Sequence, residues 1–511
     1  MGDAKYSISC IQVRAIKVFM WHSDDIVKNP LRTPLVDALR TLSHQPDAAF
    51  YTPGHKKGEG MASSLANWWG KSLFCADLPE LPELDNLFAP AGVIREAQLL
   101  AAETFGSQKT WFLVNGSTCG VMAAILATCG SGDKIILPRN IHQSAIAGLV
   151  ISGAMPIFIN PEYDPELDLA YSVTPEAIAE ALKAHPDAKA VMVVYPTYHG
   201  ICGDLEAIVK LVHQYNIPLL VDEAHGAHFS FHPDLPPSAL SLGADVAIQS
   251  THKVLGAMTQ ASMLHLQGKL VAPERLSQAL QMLQSSSPSY LLLASLDAAR
   301  QQMAVQGKAL MAKTLNLANY ARKHLNKVSG IRLVETPKHK TSGFWQLDQT
   351  RVTVNLQELG IDGFSADEIL HQQLGVTAEL PMLQSLTFIL TFGNTQEDIE
   401  KLINGFIQLT KLELSFSSPP TCSLYPSYLP PVFLSPRQAW FCATRTLPIK
   451  EAVGCISAEL ICPYPPGIPI LMPGEEVTLS ALEYLQQVIV SGGMVTGLSD
   501  STLQTLKVVE S

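Results

Sequence analysis

The chain has 511 residues, of which 47% are hydrophobic and 16% are charged, and its formal net charge at pH 7 is -11. This length and composition are typical of a globular protein with several domains and large buried cores, and they exclude a disordered or fibrous chain. The net negative charge disfavours nucleic acid as a partner, because binding to a phosphate backbone needs basic surfaces.

The sequence shows neither a convincing membrane span nor a secretory signal. The longest charge-free apolar region, 140–161, is interrupted by polar residues, glycines and a proline, so it predicts a helix followed by a strand. The N-terminal stretch carries Asp3 and places Arg14 and Lys17 inside its apolar part, unlike a secretory signal. Nine scattered cysteines without a CxxC pair indicate reduced thiols. We therefore expect a cytoplasmic protein that is not associated with a membrane.

Strands and helices alternate through the first half of the chain. Strands are predicted at 111–114, 134–137, 156–159, 190–194, 218–221 and 245–248. One helix is predicted to begin at 117 and a second to extend through 148. Two more are predicted at 175–183 and 205–215. This alternation predicts an α/β fold with a mainly parallel sheet, whose ligands bind beyond the carboxyl ends of the strands.

The later part of the chain divides into smaller units. A long helical pattern at 288–327 leads into a mixed α/β segment with strands at 351–356 and 387–391. We predict an N-terminal extension, a major domain, a small α/β domain, a Ser/Pro-rich linker and a C-terminal domain, at 1–31, 32–300, 301–414, 415–431 and 432–511. The extension has an alternative explanation, which is that the chain starts at Met20 rather than Met1.

Ser117 and Thr118 open a helix directly after the first predicted strand, at a turn that contains glycine. The free N–H groups and the positive end of such a helix suit a phosphate, and the two hydroxyls add hydrogen-bond donors. An ordinary helix cap explains the same residues when this stretch is taken alone.

An acidic pair follows a buried strand in "LLVDEAHGAH" (219–228). Side chains alternate along a strand, so we expect Asp222 rather than Glu223 to face the site, where it can neutralise a ring nitrogen or bind a metal. Two alternatives have less support. A DEAH helicase needs a phosphate-binding loop that the sequence lacks. A zinc site at His225, His228 and His232 lacks a clear set of partner ligands, so no metal is predicted.

Lys253 lies in "QSTHKVLGAMTQAS" (249–262), between a strand end and an apolar run. Burial there lowers the pKa of an amine and leaves it neutral, and a neutral amine is a nucleophile toward aldehydes. A lysine, an upstream aspartate and a phosphate cradle are together what pyridoxal phosphate requires. The alternative for Lys253 alone is a salt-bridged structural lysine.

His142 in "RNIHQS" (139–144) follows the second predicted strand. An imidazole at that place can stack on a flat ring. A structural histidine with satisfied hydrogen bonds is the alternative, and the residues alone leave both open.

Seven stretches follow one another in the order found in a known family: "TPGHKKGEG" (52–60), "NGSTCG" (115–120), "RNIHQSAIAGLVISGAMPIF" (139–158), "VDEAHGAH" (221–228), "STHKVLGAMTQAS" (250–262), "SYLLLASLD" (289–297) and "PYPPGIPILMPGE" (463–475). They resemble the Orn/Lys/Arg decarboxylase family, pyridoxal-phosphate enzymes of the aspartate-aminotransferase type (fold type I). The resemblance runs from about residue 32 to the end. It is greatest to the short, wingless members of the Bacillus arginine decarboxylase kind.

This resemblance implies a role for each matching residue. Lys253 would carry the cofactor as a Schiff base, Asp222 would keep the pyridine nitrogen protonated, and His142 would stack on the ring. The implied cofactor-binding residues are Ser117, Thr118, His142, Asp222, His225, Ser250, His252, Lys253, Ser286 and Ser287. The last two would reach the phosphate of a neighbouring subunit, which implies a homodimer or a higher homo-oligomer. The "TPGHKKG" and "PYPPG" stretches would lie near the substrate entrance.

The implied reaction is α-decarboxylation of a basic amino acid. The short-member resemblance favours L-arginine, with agmatine and CO2 as products, and leaves lysine and ornithine as alternatives. The proton donor to Cα is expected to be Lys253 or His228, and candidates for binding the substrate's side-chain cation are Glu83, Asp85 and Glu379. The alternatives from other functional classes are an aminotransferase, a non-catalytic regulator and a polyamine-binding protein.

Overall fold

The computed structural model describes residues 29–412, 432–464 and 467–510. The predicted linker at 415–431 lies outside these ranges, and so does all of the predicted extension except residues 29–31. The division into domains stays a prediction.

The first part of the chain forms a large α/β unit. Its strands are β1 (Lys109–Leu113), β2 (Lys134–Pro138), β3 (Met155–Ile159), β4 (Tyr163–Asp164), β5 (Leu169–Ala170), β6 (Ala190–Val194), β7 (Ile201–Cys202), β8 (Leu219–Asp222), β9 (Val246–Gln249) and β10 (Ser262–Leu266). Its helices are α1 (Pro34–Ser43), α2 (Ser63–Trp69), α3 (Lys71–Ala76), α4 (Val93–Phe105), α5 (Gly116–Thr128), α6 (Gln143–Ser152), α7 (Pro175–Ala184), α8 (Leu205–Gln214), α9 (Thr251–Val254), α10 (Pro273–Leu283) and α11 (Tyr290–Leu325). Short 3-10 turns occur at Pro82–Leu84 and Phe229–Phe231.

The central sheet of this unit has seven strands within the described residues, in the order β1, β10, β9, β8, β6, β2, β3. The neighbours from β9 to β3 pair in parallel, whereas β10 is antiparallel to both β1 and β9. The predicted α/β fold with a mainly parallel sheet is confirmed. Strand β10 was not predicted, because Ser262 and His265 interrupt its apolar pattern although all five of its residues are buried.

Both faces of the sheet are buried, which explains why its strands are apolar throughout. In β6, Val191 and Val193 pack into one core, whereas Ala190, Met192 and Val194 pack into the other. Successive side chains of a strand point to opposite faces, so each face receives alternate residues. Polar side chains at the carboxyl ends of these strands therefore stand out as candidates for function.

A smaller α/β unit follows α11. It contains β11 (Arg332–Leu333), β12 (Gln346–Leu347), β13 (Arg351–Asn355), α12 (Gly363–Leu374), β14 (Leu380–Pro381), β15 (Ser385–Ile389) and α13 (Gln396–Leu409), with a 3-10 turn at Gln357–Leu359. Strands β11, β13, β15 and β14 form an antiparallel sheet, and β12 pairs with β7 of the large unit. The predicted boundary after residue 300 falls within α11, whose Met303 packs in the first core and whose Ala318 packs in the core of the smaller unit.

Residues 432–464 and 467–510 form what we term the C-terminal unit. It contains α14 (Pro436–Phe441), β16 (Thr444–Pro448), α15 (Ile449–Ala452), β17 (Cys462–Tyr464), α16 (Leu479–Val490), β18 (Met494–Thr496) and β19 (Thr505–Val509). Strand β16 pairs with β19, and β17 pairs with β18. This unit has a core of its own around Ile461, Leu485 and Val508. Its Met472 instead packs into a core of the large unit, so the two units are joined by apolar contact.

The apolar region at 140–161 forms α6 and then β3, as predicted. Within the described ranges, none of the helices has the length and apolar character needed to cross a bilayer. The cytoplasmic location stays a prediction.

Candidate active site

The predicted site residues gather at the carboxyl ends of the parallel strands. Ser117 follows β1, His142 follows β2, Asp222 ends β8, and Lys253 follows β9. Strands β8 and β9 are adjacent and parallel, with Asp222 opposite Ile248, so the aspartate and the lysine leave the same edge of the sheet. Ligands of open α/β sheets bind at this edge.

Lys253 lies in the one-turn helix α9 and is partly buried. Its Nζ lies 3.0 Å from Nε2 of His225. Burial lowers the pKa of Lys253 below that of an ordinary lysine; the charges of Asp222 and Glu379 oppose this shift, and that of Arg351 adds to it. The amine is thus biased toward its neutral, nucleophilic form, as the sequence predicted.

His225 is held on its other side by Arg351, which is fully buried at the start of β13. Nη2 of Arg351 lies 3.0 Å from the backbone oxygen of His225 and 3.3 Å from Nδ1 of its ring. A guanidinium only donates hydrogen bonds, so Nδ1 accepts and the ring proton resides on Nε2. The Nε2–H group then faces Lys253, whose amine accepts this hydrogen bond in its neutral form.

The neighbours of His225 also keep its ring neutral. Burial lowers the pKa of His225 well below its ordinary value, and the charges of Lys253 and Arg351 lower it further. Arg351 was not among the predicted site residues. Its one sequence signal is an arginine at the start of a predicted strand, "RVTVN".

Asp222 ends β8 with its side chain buried, and its Oδ1 accepts a hydrogen bond from the N–H of Ala224 at 3.2 Å. Burial raises the pKa of Asp222, while the charge of Lys253 and the Ala224 N–H act against that rise. A buried carboxylate is stabilised by a positively charged partner, and a protonated ring nitrogen is such a partner.

Glu223 points away from Asp222, as the alternation along β8 predicts. Its Oε1 accepts a hydrogen bond from the N–H of Ala239 at 2.7 Å, and its Oε2 accepts one from Nε2 of Gln249 at 2.8 Å. These contacts lie within the protein core, so we assign Glu223 a structural role.

Two serines from distant parts of the chain meet at the N-terminus of α5. The hydroxyl of Ser250 donates a hydrogen bond to that of Ser117 at 2.7 Å, although 133 positions separate them. They meet because β10 lies between β1 and β9 and begins at the edge of the sheet where those two strands end. In the segment just before β10, Nε2 of Gln260 donates a hydrogen bond to the backbone oxygen of Val114 at 2.6 Å. The hydroxyls and the N–H groups of the first helical turn form a donor set for an anion.

The other predicted phosphate ligands lie around this serine pair. Thr118 is exposed on the first turn of α5, and Ser286 and Ser287 are exposed between α10 and α11. Nδ1 of His252 lies 2.9 Å from the backbone oxygen of Ala261. The N–H of Ser285 donates to Oδ1 of Asn115 at 3.2 Å, which attaches the loop of Ser286 and Ser287 to the start of α5. Contact of these four residues with a phosphate stays a prediction.

His142 is the N-cap of α6. Its Nδ1 accepts a hydrogen bond from the N–H of Ser144 at 3.2 Å and lies 2.8 Å from the hydroxyl of the same residue. Burial, together with the charge of Lys253, lowers the pKa of His142 to about 4. The ring is therefore neutral at pH 7, and a neutral ring suits stacking on an aromatic cofactor.

The three histidines that suggested a zinc site face different partners. His225 faces Lys253, Nε2 of His228 lies 3.0 Å from Oδ2 of Asp348, and Nδ1 of His232 lies 3.8 Å from Oδ2 of Asp234. In the described part of the chain, no cluster of three or more His, Cys, Asp or Glu side chains is arranged to hold a metal ion.

Two of the acidic residues considered for the substrate pocket differ clearly in their surroundings. The carboxylate of Asp85 accepts hydrogen bonds from the backbone N–H groups before and at the start of α4, which belong to Asn86, Ala91, Gly92, Ile94 and Arg95. Asp85 is thus used to cap a helix. Glu379 is exposed. Burial lowers the pKa values of Lys253 and Arg351, and the charge of Glu379 opposes both shifts, so its carboxylate lies close to the site.

The chain is similar to known proteins over most of its length. The chain matches the families described as "Orn/Lys/Arg decarboxylase, major domain" over residues 33–353 and "Orn/Lys/Arg decarboxylase, C-terminal domain" over residues 423–502. It is 40% identical over 480 residues to arginine decarboxylase of Bacillus subtilis (strain 168), a match that covers 94% of this chain and 98% of that protein. It is 40% identical over 482 residues to arginine decarboxylase of Halalkalibacterium halodurans, again covering 94% and 98%.

Solved structures show the same fold. Lysine decarboxylase A from Pseudomonas aeruginosa superposes with a TM-score of 0.80 at 24% identity, covering 94% of this chain and 81% of that one. The constitutive lysine decarboxylase of Escherichia coli superposes with a TM-score of 0.79 at 21% identity, covering 94% and 82%. The predicted fold type I architecture and the family resemblance are confirmed. This chain therefore belongs to the Orn/Lys/Arg decarboxylase family and is an enzyme, a carboxy-lyase.

Proposed function

We propose that this enzyme binds pyridoxal phosphate and decarboxylates L-arginine to agmatine and CO2. The single observation that carries the chemistry is the contact of the Lys253 amine with His225, at the same strand edge as the buried Asp222. The 40% identity to proteins named arginine decarboxylase supports arginine as the substrate.

The residues at this edge fit pyridoxal phosphate. Lys253 offers an amine for its aldehyde, Asp222 offers a buried carboxylate for its ring nitrogen, and His142 offers a neutral imidazole for its face. The hydroxyl pair of Ser117 and Ser250 at the start of α5 suits its phosphate. When bound, pyridoxal phosphate supplies an electron sink for the electrons of the Cα–carboxylate bond.

Lys253 and His225 are placed to hold and move protons. Loss of CO2 leaves Cα in need of a proton, and a general acid must supply it at short range. Lys253 is the first candidate because its amine occupies the centre of the site. His225 holds that amine in place, because its Nε2–H group donates a hydrogen bond to Nζ of Lys253. His228, the other predicted donor, is instead paired with Asp348.

Glu379 is our candidate for recognising the guanidinium of the substrate. A carboxylate pairs with a guanidinium through two parallel hydrogen bonds, so an exposed carboxylate near Lys253 is suited to arginine. Asp85 is less suited, because backbone N–H groups occupy its oxygens.

We infer that the enzyme is a homodimer or a higher homo-oligomer. The exposed loop of Ser286 and Ser287 adjoins the serine pair at α5, where it is available to a second subunit. Large apolar side chains are also exposed near the "TPGHKKGEG" stretch, with Phe50 at 94% and Trp68 at 78%. Exposed apolar surface of this kind marks protein contacts.

The test is a CO2-release assay with added pyridoxal phosphate that compares arginine, lysine and ornithine. We expect the highest kcat/KM with arginine, and agmatine as the product by chromatography. Lys253→Ala should abolish turnover, whereas Lys269→Ala, which changes an exposed lysine after β10, should not. Faster turnover of lysine or ornithine would contradict the substrate assignment, and a keto acid product would indicate an aminotransferase.

A further inference from the structure

The C-terminal unit is attached to the segment that carries His142 through a buried ion pair. Arg139 donates hydrogen bonds to the backbone oxygens of Pro469 and Ile470, at 2.6 and 3.0 Å, and to Oε2 of Glu475 at 3.1 Å. The same Oε2 accepts the N–H of Met472 at 3.0 Å. Both charged side chains are buried. A buried pair with several satisfied hydrogen bonds favours one docking geometry over others.

Gly467 of the C-terminal unit lies directly against His142. Its backbone oxygen accepts a hydrogen bond at 3.0 Å from the N–H of Gln143, the first residue of α6. Its φ is +86°, a conformation that favours glycine. A Cβ at this position would lie 3.3 Å from Nε2 of His142 and 3.0 Å from Nε2 of Gln143. A side chain at this position would therefore press on the side chains of both His142 and Gln143.

Arg437 holds the other end of the same helix. Its Nη1 donates hydrogen bonds to the backbone oxygens of Ile151 at 2.7 Å and Val150 at 3.3 Å. The last carbonyls of a helix lack partners within it and are stabilised by such a cation. The C-terminal unit thus contacts α6 at both ends.

We propose that the C-terminal unit is part of the cofactor site, in which Gly467 and the Arg139–Glu475 pair position the imidazole of His142. These are positioning residues, because they act through His142. This proposal depends on the proposed function in one respect, which is that His142 faces pyridoxal phosphate. A ring that is held in place before binding loses less conformational freedom when the cofactor arrives, so cofactor affinity depends on the docked unit.

The main test compares Gly467→Ala with Gly454→Ala. Both glycines belong to the C-terminal unit and have nearly the same φ, +86° and +82°, so both substitutions strain the backbone alike. A Cβ at Gly454 meets no atom within 4 Å, whereas one at Gly467 meets His142. We expect the two variants to lose similar thermal stability. Only Gly467→Ala should weaken the binding of pyridoxal phosphate to the apoprotein, by about tenfold.

A second comparison uses Glu475→Gln and Glu476→Gln. The first removes the charge that pairs with Arg139, and the second changes the adjacent, more accessible glutamate. Hydrogen–deuterium exchange of the apoprotein gives a readout that does not depend on activity. Exchange should become faster across α6 in Glu475→Gln and in Gly467→Ala, and it should stay at the wild-type rate in both controls.

Equal cofactor affinity and equal exchange at α6 in Gly467→Ala and Gly454→Ala would overturn the proposal. If the wild-type apoprotein binds no pyridoxal phosphate, the proposed function fails instead. In that case the exchange experiment still reports whether the C-terminal unit positions His142.

Discussion

Nε2 of His225 lies 3.0 Å from Nζ of Lys253, and Nδ1 of the same ring lies 3.3 Å from Nη2 of Arg351. The arginine can only donate, so it determines which ring nitrogen carries the proton. That proton faces the lysine and favours its neutral amine. A buried residue on a different sheet thus adds to the lowering of the pKa of the residue expected to react with the cofactor, which burial chiefly causes.

We expect Arg351→Met to raise the pKa of the Lys253 amine. The substitution removes a positive charge and allows the His225 proton to move to Nδ1, after which Nε2 can accept a hydrogen bond from an ammonium group. An amine reacts in its neutral form, above its pKa, so the pH profile of Lys253 should move to higher pH. Trace acetylation of the apoprotein across a pH series, with mass spectrometry of the Lys253 peptide, measures this.

Arg351→Lys separates the two contributions of the arginine. It keeps the positive charge but loses the fixed planar group whose Nη2 contacts both Nδ1 and the backbone oxygen of His225. An upward shift smaller than that of Arg351→Met is expected. An unchanged Lys253 profile in a folded Arg351→Met protein would refute the assigned ring tautomer.

Asp222→Asn should lower kcat by about 10² to 10³, the size of effect seen when one electrostatic contact to a reacting group is removed. The amide cannot neutralise a protonated ring nitrogen, while Lys253 can still attach the cofactor. Cofactor content by absorbance, measured beside kcat, separates these two functions. Glu223→Gln is the matched control, since this neighbour faces the core and should affect stability more than kcat. Full turnover in Asp222→Asn would rule out the proposed role.

Ser117→Ala and Ser250→Ala should each weaken the binding of pyridoxal phosphate by about tenfold or more, because a hydrogen bond to a charged group contributes about 1.5 to 3 kcal/mol. Pyridoxal, which has no phosphate, should bind the variants and the wild type equally well. Titration of the apoproteins with both compounds measures the difference. Equal losses for both compounds would indicate a general distortion of the site instead of lost phosphate contacts.

Glu379→Gln should raise KM for arginine by about tenfold while changing kcat much less, because a pairing lost equally from substrate and transition state alters binding alone. Glu358→Gln, at an exposed glutamate in the 3-10 turn Gln357–Leu359, serves as the control and should leave KM unchanged. Steady-state kinetics with arginine test both. An unaltered KM in Glu379→Gln would show that another group recognises the guanidinium.

The sequence alone was sufficient to predict the parallel strands and the edge where the site lies. Ser117, Asp222 and Lys253 each sit at or directly after the end of a buried strand, and that relationship is local. Periodicity along a few residues determines which side chains are buried, so it also predicted that Asp222 and Glu223 face opposite sides.

Only the tertiary structure decided which distant side chains meet. Arg351 reaches His225 across 126 positions, and Arg139 reaches Glu475 across 336. It also decided that His225 contacts Lys253 while His228 contacts Asp348, although both belong to "VDEAHGAH". Such contacts depend on strand order and on how separate units dock, and no local pattern carries that information. The sequence thus predicted which lysine reacts with the cofactor, and long-range packing decided which side chains surround it.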